Sequence, residues 1–215
     1  MSERTIERAA KDFRARAREL AAAALSRTNG VTAALEVAEY AAQLEARVLE
    51  LQLAVGVDHL TRVKSRAAIE AFLDLELQRT ARTAAPTSVL VVDVDHFKRV
   101  NDERGHAAGD EVLRAIGAAL NSSRRATDAV GRVGGEEFVL VLSNSDELQA
   151  YHAAERIRQS IEALEFPGLP GLEVTASVGL AIARGATDRE AFVARADVAL
   201  YHAKSGGRNR VHVAA

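Results

Sequence analysis

The stretch Val130-Gly-Arg-Val-Gly-Gly-Glu-Glu-Phe-Val-Leu-Val-Leu142 predicts a β-hairpin with two carboxylates at its tip. The segments on either side of the glycines are apolar, and the second has the composition of a strand. Gly134 and Gly135 indicate a tight turn, because a primed turn needs positive φ angles that glycine adopts without steric cost. Glu136 and Glu137 then repel each other unless a cation or a positively charged ligand lies between them. The alternative for a lone acidic hairpin is a solvated turn.

A second acidic stretch lies upstream, at Ser88-Val-Leu-Val-Val-Asp-Val-Asp-His-Phe-Lys98. Its mostly β-branched apolar run predicts a buried strand, with Asp93 at the carboxyl end. Buried carboxylates are paired or coordinate metals. If Asp93 and Glu136 meet, they can hold two Mg²⁺ ions against a triphosphate, since Mg²⁺ prefers one or two carboxylates together with substrate phosphates.

The composition limits the class of protein. The 215 residues suit one domain with an appendage or two small domains, and the absence of cysteine excludes disulfides and thiolate metal sites. The charged N-terminus lacks the apolar run of a signal peptide, and no apolar stretch approaches the ~20 residues that span a bilayer. A formal net charge of −2 gives no general affinity for nucleic acid or anionic membrane. We therefore expect a cytoplasmic protein that binds neither.

Residues 1–57 are expected to form a helical region that precedes a second domain at residues 58–215. Apolar residues recur at spacings of three and four over residues 3–26 and again from Val37 to Val55, with an Asn-Gly break between. The second stripe is heptad-like. Because two isolated helices bury little surface, we expect this seam to pair two copies of the chain into a coiled-coil homodimer. The alternative is a helical hairpin packed on its own second domain.

The second domain has an α+β pattern. Strands are predicted at about 88–92, 129–133, 137–142, 172–183 and 210–213, and helices at 65–82, 95–103, 109–122, 146–164 and 187–204. Ser65 is the expected N-cap of the first helix, and Thr187 or Asp188 that of the last. The order βαββαβ predicts a ferredoxin-like antiparallel sheet with helices on one face.

Four blocks resemble, in the same order, the motifs of the GGDEF-domain diguanylate cyclases. Gly134-Gly-Glu-Glu-Phe138 is similar to the family signature in its GGEEF form, and the other blocks are Asp93–Asp102, Gly105–Asp110 and Asp197–Asn209. The resemblance extends from about Asp58 to Val213 and implies the family's palm-like core.

The block that opens the domain departs from the family pattern. Asp58-His-Leu-Thr-Arg-Val-Lys-Ser-Arg66 resembles the family's D-x-L-T-G-L-x-N-R, but Arg62, Val63 and Ser65 replace its Gly, Leu and Asn. These differences affect the turn and its coupling to the preceding helix, and they touch no metal or phosphate position of the family.

The resemblance implies a bacterial enzyme that joins two GTP molecules into cyclic di-3′,5′-GMP and releases two pyrophosphates, as a dimer with one GTP per subunit. Asp93 would bridge two Mg²⁺ ions, with Mn²⁺ as the alternative metal, helped by the carbonyl of Val94. Glu136 would be the second metal ligand and would assist deprotonation of the attacking 3′-hydroxyl. Glu137 would be a metal-shell or ligand-orienting carboxylate.

The family's nucleotide contacts map onto two groups of residues. Lys98, with backbone amides near Phe97, would hold phosphate oxygens as charge develops on them. Asn101 and Asp110 match the guanine readers, because a carboxylate accepts hydrogen bonds that guanine offers and adenine does not. Lys204 and Arg208 match the family's γ-phosphate contacts. The alternative is that these two basic residues at a helix end only interact favourably with the helix dipole.

The segment Arg125-Ala-Thr-Asp128 resembles the family's RxxD inhibitory site, which binds an intercalated cyclic di-GMP dimer. Arg125 would meet guanine or phosphate, and Asp128 a guanine edge. Arg156 is the expected supplementary contact, with Arg158 competing for that role. The alternative function is a catalytically silent cyclic di-GMP receptor or scaffold. The enzyme is favoured because each catalytic position holds a chemically competent residue.

Overall fold

The computed structural model describes residues 56–214, so the predicted N-terminal helices and their heptad seam lie outside the described residues. The described part contains the helices α1 (Arg66–Thr83), α2 (Phe97–Arg104), α3 (His106–Ser123), α4 (Glu147–Glu162) and α5 (Arg189–Ser205). Its strands are β1 (Thr87–Val94), β2 (Ala129–Arg132), β3 (Glu137–Leu142), β4 (Ala176–Ala183) and β5 (Val211–Val213). The domain boundary at 57/58 stays a prediction.

The helix starts follow local side-chain chemistry. The Ser65 hydroxyl accepts a hydrogen bond from the amide of Ala68 at 3.4 Å, which confirms the predicted cap of α1. Asp188, rather than Thr187, caps α5 by accepting from the amide of Ala191 at 2.9 Å. These caps use amides that have no partner inside the helix.

The five strands form one sheet in the order β2-β3-β1-β4-β5. The central strand β1 runs antiparallel to both of its neighbours, β3 and β4. This arrangement confirms the α+β, ferredoxin-like and palm-like prediction. The edge strand β5 is the exception to the antiparallel pattern, because it pairs with β4 in parallel.

The predicted placement of helices on one face of the sheet is wrong, because both faces are covered. Leu90 and Val92 of β1 join a buried cluster with residues of α3 and α4. Val89 and Val91 point the other way and join a cluster with residues of α1 and α5. Successive strand residues alternate between faces, so a strand that is apolar at every position must be covered on both sides.

None of the helices in residues 56–214 is both long enough and apolar enough to cross a bilayer.

Candidate active site

Strand pairing brings the two acidic stretches of the sequence together. Asp93, near the end of β1, is the register partner of Glu137 on β3. One residue further on, the amide of Val94 donates to the carbonyl oxygen of Glu136 at 3.3 Å. The carboxylates of the hairpin therefore lie beside the carboxyl end of the central strand, as the sequence predicts.

The turn of the hairpin differs from the predicted primed turn. Residues 133–136 form the loop between β2 and β3, and neither Gly134 nor Gly135 has a positive φ. The amide of Val133 closes the loop by donating to the carbonyl of Glu137 at 3.0 Å. A Cβ on Gly134 would collide with the Glu137 carboxylate. Gly134 thus packs against the Glu137 side chain without a left-handed backbone.

A lysine from the last turn of α5 completes this end of the sheet. The Nζ of Lys204 lies 2.8 Å from Oδ2 of Asp93, and only 8% of the Asp93 side chain is exposed. A buried carboxylate without a partner is strongly unfavourable, and the ammonium group of Lys204 supplies that partner.

The carboxylates at this end of the sheet outnumber the cations, because Asp93, Glu136 and Glu137 lie near the single ammonium group of Lys204. Burial raises the pKa of Glu136 above its ordinary value, and the negative charges of Asp93 and Glu137 raise it further, while Lys204 acts in the opposite direction. Excess negative charge of this kind is relieved by a divalent cation. Among the described residues no three His, Cys, Asp or Glu side chains gather into an all-protein metal site. The arrangement thus fits Mg²⁺, which takes one or two carboxylates and fills its other positions with phosphates and water.

Asp95 is a site residue that the sequence reasoning missed. It is buried, and its carboxylate accepts hydrogen bonds from the hydroxyls of Thr175 at 2.8 Å and Ser177 at 2.7 Å. It also accepts from the amide of Asn209 at 3.0 Å, in the loop after α5. Asp95 therefore anchors the loop that carries Arg208, in which Arg208 and Asn209 have φ values of 63° and 45°.

The predicted nucleotide contacts lie on α2, on the start of α3 and after α5. Phe97 is buried and begins α2, whereas the side chain of Lys98 is exposed. Gly109 of α3 lies so close to Asn101 that a Cβ would collide with its carboxamide, which places Asn101 against the residue that precedes Asp110 in the chain. Asp110 is half exposed, with its Oδ2 3.8 Å from a guanidinium nitrogen of Arg114, so it remains available to a ligand.

The predicted inhibitory residues lie near one another around the end of α3. Asp128 is buried and accepts from the amides of Arg125 at 3.0 Å and Ser143 at 3.2 Å. The guanidinium of Arg156 donates to the carbonyl of Ser123, at 3.3 Å, which places it beside the exposed Arg125.

Arg158 belongs to a different network from Arg156. It pairs with Glu155 at 3.0 Å and Glu162 at 2.7 Å, and donates to the side-chain oxygen of Asn209 at 2.8 Å. It therefore supports the loop after α5.

The family model described as "Diguanylate cyclase, GGDEF domain" matches residues 55–210. The chain belongs to the GGDEF family. Among curated relatives, diguanylate cyclase DosC of Escherichia coli K12 is 40% identical over 161 residues, which are 74% of this chain and 35% of DosC. The response regulator PleD of Caulobacter vibrioides is 41% identical over 165 residues, 75% of this chain and 36% of PleD. The chain thus spans about a third of the length of these relatives.

Solved GGDEF structures share the fold. The GGDEF domain of DgcB from Caulobacter crescentus, in complex with c-di-GMP, matches with a TM-score of 0.70 and 30% identity, over 74% of this chain and 95% of that one. Diguanylate cyclase SiaD from Pseudomonas aeruginosa, in complex with its activator SiaC, matches with a TM-score of 0.73 and 36% identity, over 98% of this chain and 84% of that one.

One departure of this GGDEF domain from its family pattern has a backbone consequence. Arg62 stands where the opening block of the family has glycine, and it adopts a left-handed conformation with φ of 61°. Its amide donates to the carbonyl of Asp58 at 2.9 Å, which closes the turn. A side chain with a Cβ is strained in this conformation.

Proposed function

We propose that this chain is a diguanylate cyclase that condenses two GTP molecules into cyclic di-3′,5′-GMP and releases two pyrophosphates. The observation that carries the proposal is the convergence of Asp93, Glu136 and Lys204 at one end of the sheet. Two carboxylates there suit metal ions, and the ammonium group suits a phosphate. Relatives about 40% identical are named diguanylate cyclases, which supports the same reaction.

The carboxylates and the carbonyl of Val94 would hold two Mg²⁺ ions, with Mn²⁺ as the alternative. Asp93 is buried at the strand end, and burial, together with the negative charges of Asp93 and Glu137, raises the pKa of Glu136. When bound, the ions supply charge neutralisation for the triphosphate and lower the pKa of the 3′-hydroxyl. Glu136, which would hold metal through its carboxylate, would also assist deprotonation of that hydroxyl. Exposed Glu137 orients the ligand from the other side of the loop.

Cationic side chains and backbone amides would receive the phosphates. Lys204 exchanges part of its interaction with Asp93 for the γ-phosphate, and exposed Arg208 joins it from the loop after α5. Lys98 and the amides at the start of α2, near Phe97, meet the oxygens on which charge develops as pyrophosphate leaves.

Guanine selectivity would come from Asn101 and Asp110. Asn101 lies against Gly109 of α3, the residue that precedes Asp110 in the chain. The Asp110 carboxylate accepts from the N1–H and the exocyclic amine of guanine. Adenine lacks both donors at these positions, so it would leave the carboxylate without partners.

The reaction requires two copies of the chain, because the 3′-oxygen of each GTP attacks the α-phosphorus of the other. We propose that the heptad seam in residues 1–57 forms this homodimer, and that the same region receives the input signal. The likeness to activator-bound SiaD, over 98% of this chain, supports a signalling role for that region. Replacing Leu44 and Leu51 with Glu should give a monomer by light scattering that loses activity at low concentration. A variant that stays dimeric would show that another surface pairs the subunits.

Incubation of the full chain with GTP and Mg²⁺, followed by chromatography, tests the activity. We expect cyclic di-GMP and pyrophosphate, and a turnover at least about a hundredfold lower from Glu136→Gln. The second candidate is a silent cyclic di-GMP receptor that binds through Arg125, Asp128 and Arg156. The complex of the DgcB domain with c-di-GMP supports binding of this ligand. Binding of cyclic di-GMP without turnover of GTP would decide for the receptor.

A further inference from the structure

Two histidines lie side by side on the surface formed by α5 and β5. The ring centroids of His202 and His212 are 5.1 Å apart, and the ring planes are inclined by 42°. Both residues are exposed, so burial in a core does not account for their contact. The proposed reaction uses neither of them.

The packing of α5 on the sheet explains why these residues meet. A Cβ on Gly179 of β4 would collide with the backbone of Ala196 and Leu200, so α5 lies directly on the sheet at this point. His212 of β5 is the register partner of Gly179, and register partners point to the same face of a sheet. His212 therefore projects towards α5, whose last turn carries His202.

We propose that His202 and His212 form a transition-metal site separate from the nucleotide site. Two imidazoles that bind one Zn²⁺ at about 2.0–2.1 Å, at a roughly tetrahedral angle, have ring centroids about 5 Å apart. The observed separation of 5.1 Å lies close to this value. Imidazole ligands suit Zn²⁺, Ni²⁺ and Cu²⁺, whereas Mg²⁺ prefers oxygen ligands, so the two kinds of site select different ions.

The site has two protein ligands and is open to solvent. No third His, Asp, Glu or Cys gathers with the pair anywhere in residues 56–214, so water completes the coordination. A surface groove of about 370 Å³ adjoins the histidines and is lined in part by Ala194, Val198 and Val213, which gives an ion free access. Such a site binds reversibly, unlike a structural zinc site with four protein ligands.

The position of the site between α5 and β5 gives the ion a consequence. The segment between the two histidines carries Lys204, which lies 2.8 Å from Asp93, and Asn209, whose amide donates to Asp95 at 3.0 Å. An ion held by His202 and His212 fixes both ends of this segment. If the chain is a cyclase as proposed, the bound ion should therefore change the apparent KM for GTP. Binding of the ion to the two histidines does not depend on cyclase activity.

Titration calorimetry of ZnCl₂ into the full chain, with excess Mg²⁺ to occupy the carboxylates, tests the site. We expect one Zn²⁺ per chain whose affinity falls by about tenfold or more in both His202→Gln and His212→Gln. His152→Gln is the matched control, because this exposed histidine of α4 adjoins the ring of Tyr151 and should leave the titration unchanged. Addition of Ni²⁺ should broaden the imidazole NMR signals of His202 and His212 together.

The proposal is overturned if either histidine variant binds Zn²⁺ as the wild type does, or if Ni²⁺ broadens only one of the two signals. If the chain lacks cyclase activity but still binds Zn²⁺ through both histidines, the proposed function is contradicted and the metal site is supported. A Zn²⁺-dependent shift of the apparent KM in the wild type, absent from His212→Gln, would connect the two sites.

Discussion

The guanidinium of Arg132 joins Asp58 to the loop that carries Glu136. Its Nη1 lies 3.3 Å from Oδ1 of Asp58, and its Nη2 donates to the carbonyl of Gly135 at 2.6 Å. Thr61 donates to the same Asp58 carboxylate from its amide at 2.9 Å and its hydroxyl at 2.5 Å. Because Asp58 is the first residue of the predicted domain, one side chain connects the junction with residues 1–57 to the acidic hairpin.

Arg132→Lys tests this connection, because lysine keeps the charge and loses the planar fork of donors. We expect the free energy of unfolding to fall by about 1.5–3 kcal/mol, the range for hydrogen bonds to charged groups. Turnover should fall while GTP affinity is largely retained, since the proposed nucleotide contacts lie elsewhere. Urea denaturation and initial rates measure both effects. Arg156→Lys, at an exposed arginine, is the control for stability, and equal unfolding of the two variants would refute a special role for Arg132.

The ion pair also predicts an acid-sensitive contribution to stability. Burial opposes ionisation of Asp58, but hydrogen bonds from Thr61 and Arg132 hold its pKa below the ordinary value. A depressed carboxyl pKa stabilises the fold above the unfolded-state pKa of about 4, and this contribution disappears as the pH falls through the folded-state pKa. Asp58→Asn should therefore be less stable than wild type at neutral pH, and the two unfolding free energies should converge in acid. A constant difference across that range would contradict this account.

Glu136→Gln should change activity and stability in opposite directions. The raised pKa of Glu136 means that the fold favours the protonated form, so its contribution to stability is lost as the pH rises from the unfolded-state value through the folded one. A glutamine side chain mimics the protonated carboxyl, so at neutral pH with chelator the variant should have a higher Tm than wild type. Turnover should fall by at least about a hundredfold. Glu165→Gln, at an exposed carboxylate after α4, should change neither, and a lower Tm for Glu136→Gln would contradict this account.

Arg62→Gly should stabilise the domain. Arg62 is exposed and has φ of 61°, a conformation that costs a residue with a Cβ about 1–2 kcal/mol. Glycine removes that strain but loses more entropy on folding, so a net gain of about 0.5–1 kcal/mol in the free energy of unfolding is expected. Arg62→Ala keeps the strained backbone and serves as the control. If both variants unfold at the same urea concentration, the turn is not strained.

The sequence was most informative where structure depends on local chemistry. Ser65 and Asp188 cap helices because their side chains reach amides three residues ahead, a contact that needs no tertiary partner. The coverage of both sheet faces was also readable, since Val89, Leu90, Val91 and Val92 leave no polar face on β1. The prediction of helices on one face only came from the βαββαβ order of the elements, and the apolar run of β1 contradicts it.

The sequence was least informative where a role depends on distant segments. Asp95 binds Ser177 and Asn209, which lie more than 80 residues further along the chain, so its anchoring role follows only from the fold. The hairpin shows a related difficulty, because two glycines fit both a left-handed turn and a close approach. In the structure neither glycine has a positive φ, which excludes the left-handed turn.

The product inhibition implied by the RxxD resemblance can be tested without disturbing the fold if Arg125 is replaced rather than Asp128. Asp128 is a poor target, because its buried carboxylate accepts from the amides of Arg125 and Ser143 and its loss would disturb the turn. The Arg125 side chain is exposed, so Arg125→Ala removes only the cation. Loss of one charge-assisted contact costs about 1.5–3 kcal/mol, so cyclic di-GMP should bind roughly 10- to 100-fold more weakly.

Progress curves and direct titration of cyclic di-GMP measure this effect. Arg125→Ala should keep the initial rate of wild type and convert more GTP before product slows it, because a ligand shifts an enzyme only by its differential affinity for the inactive arrangement. Arg156→Ala should act in the same direction. Arg184→Ala, at an exposed arginine 3.7 Å from Glu147, is the control and should bind product as wild type does. Identical inhibition curves for wild type and Arg125→Ala would show that this arginine is only a solvated charge beyond the end of α3.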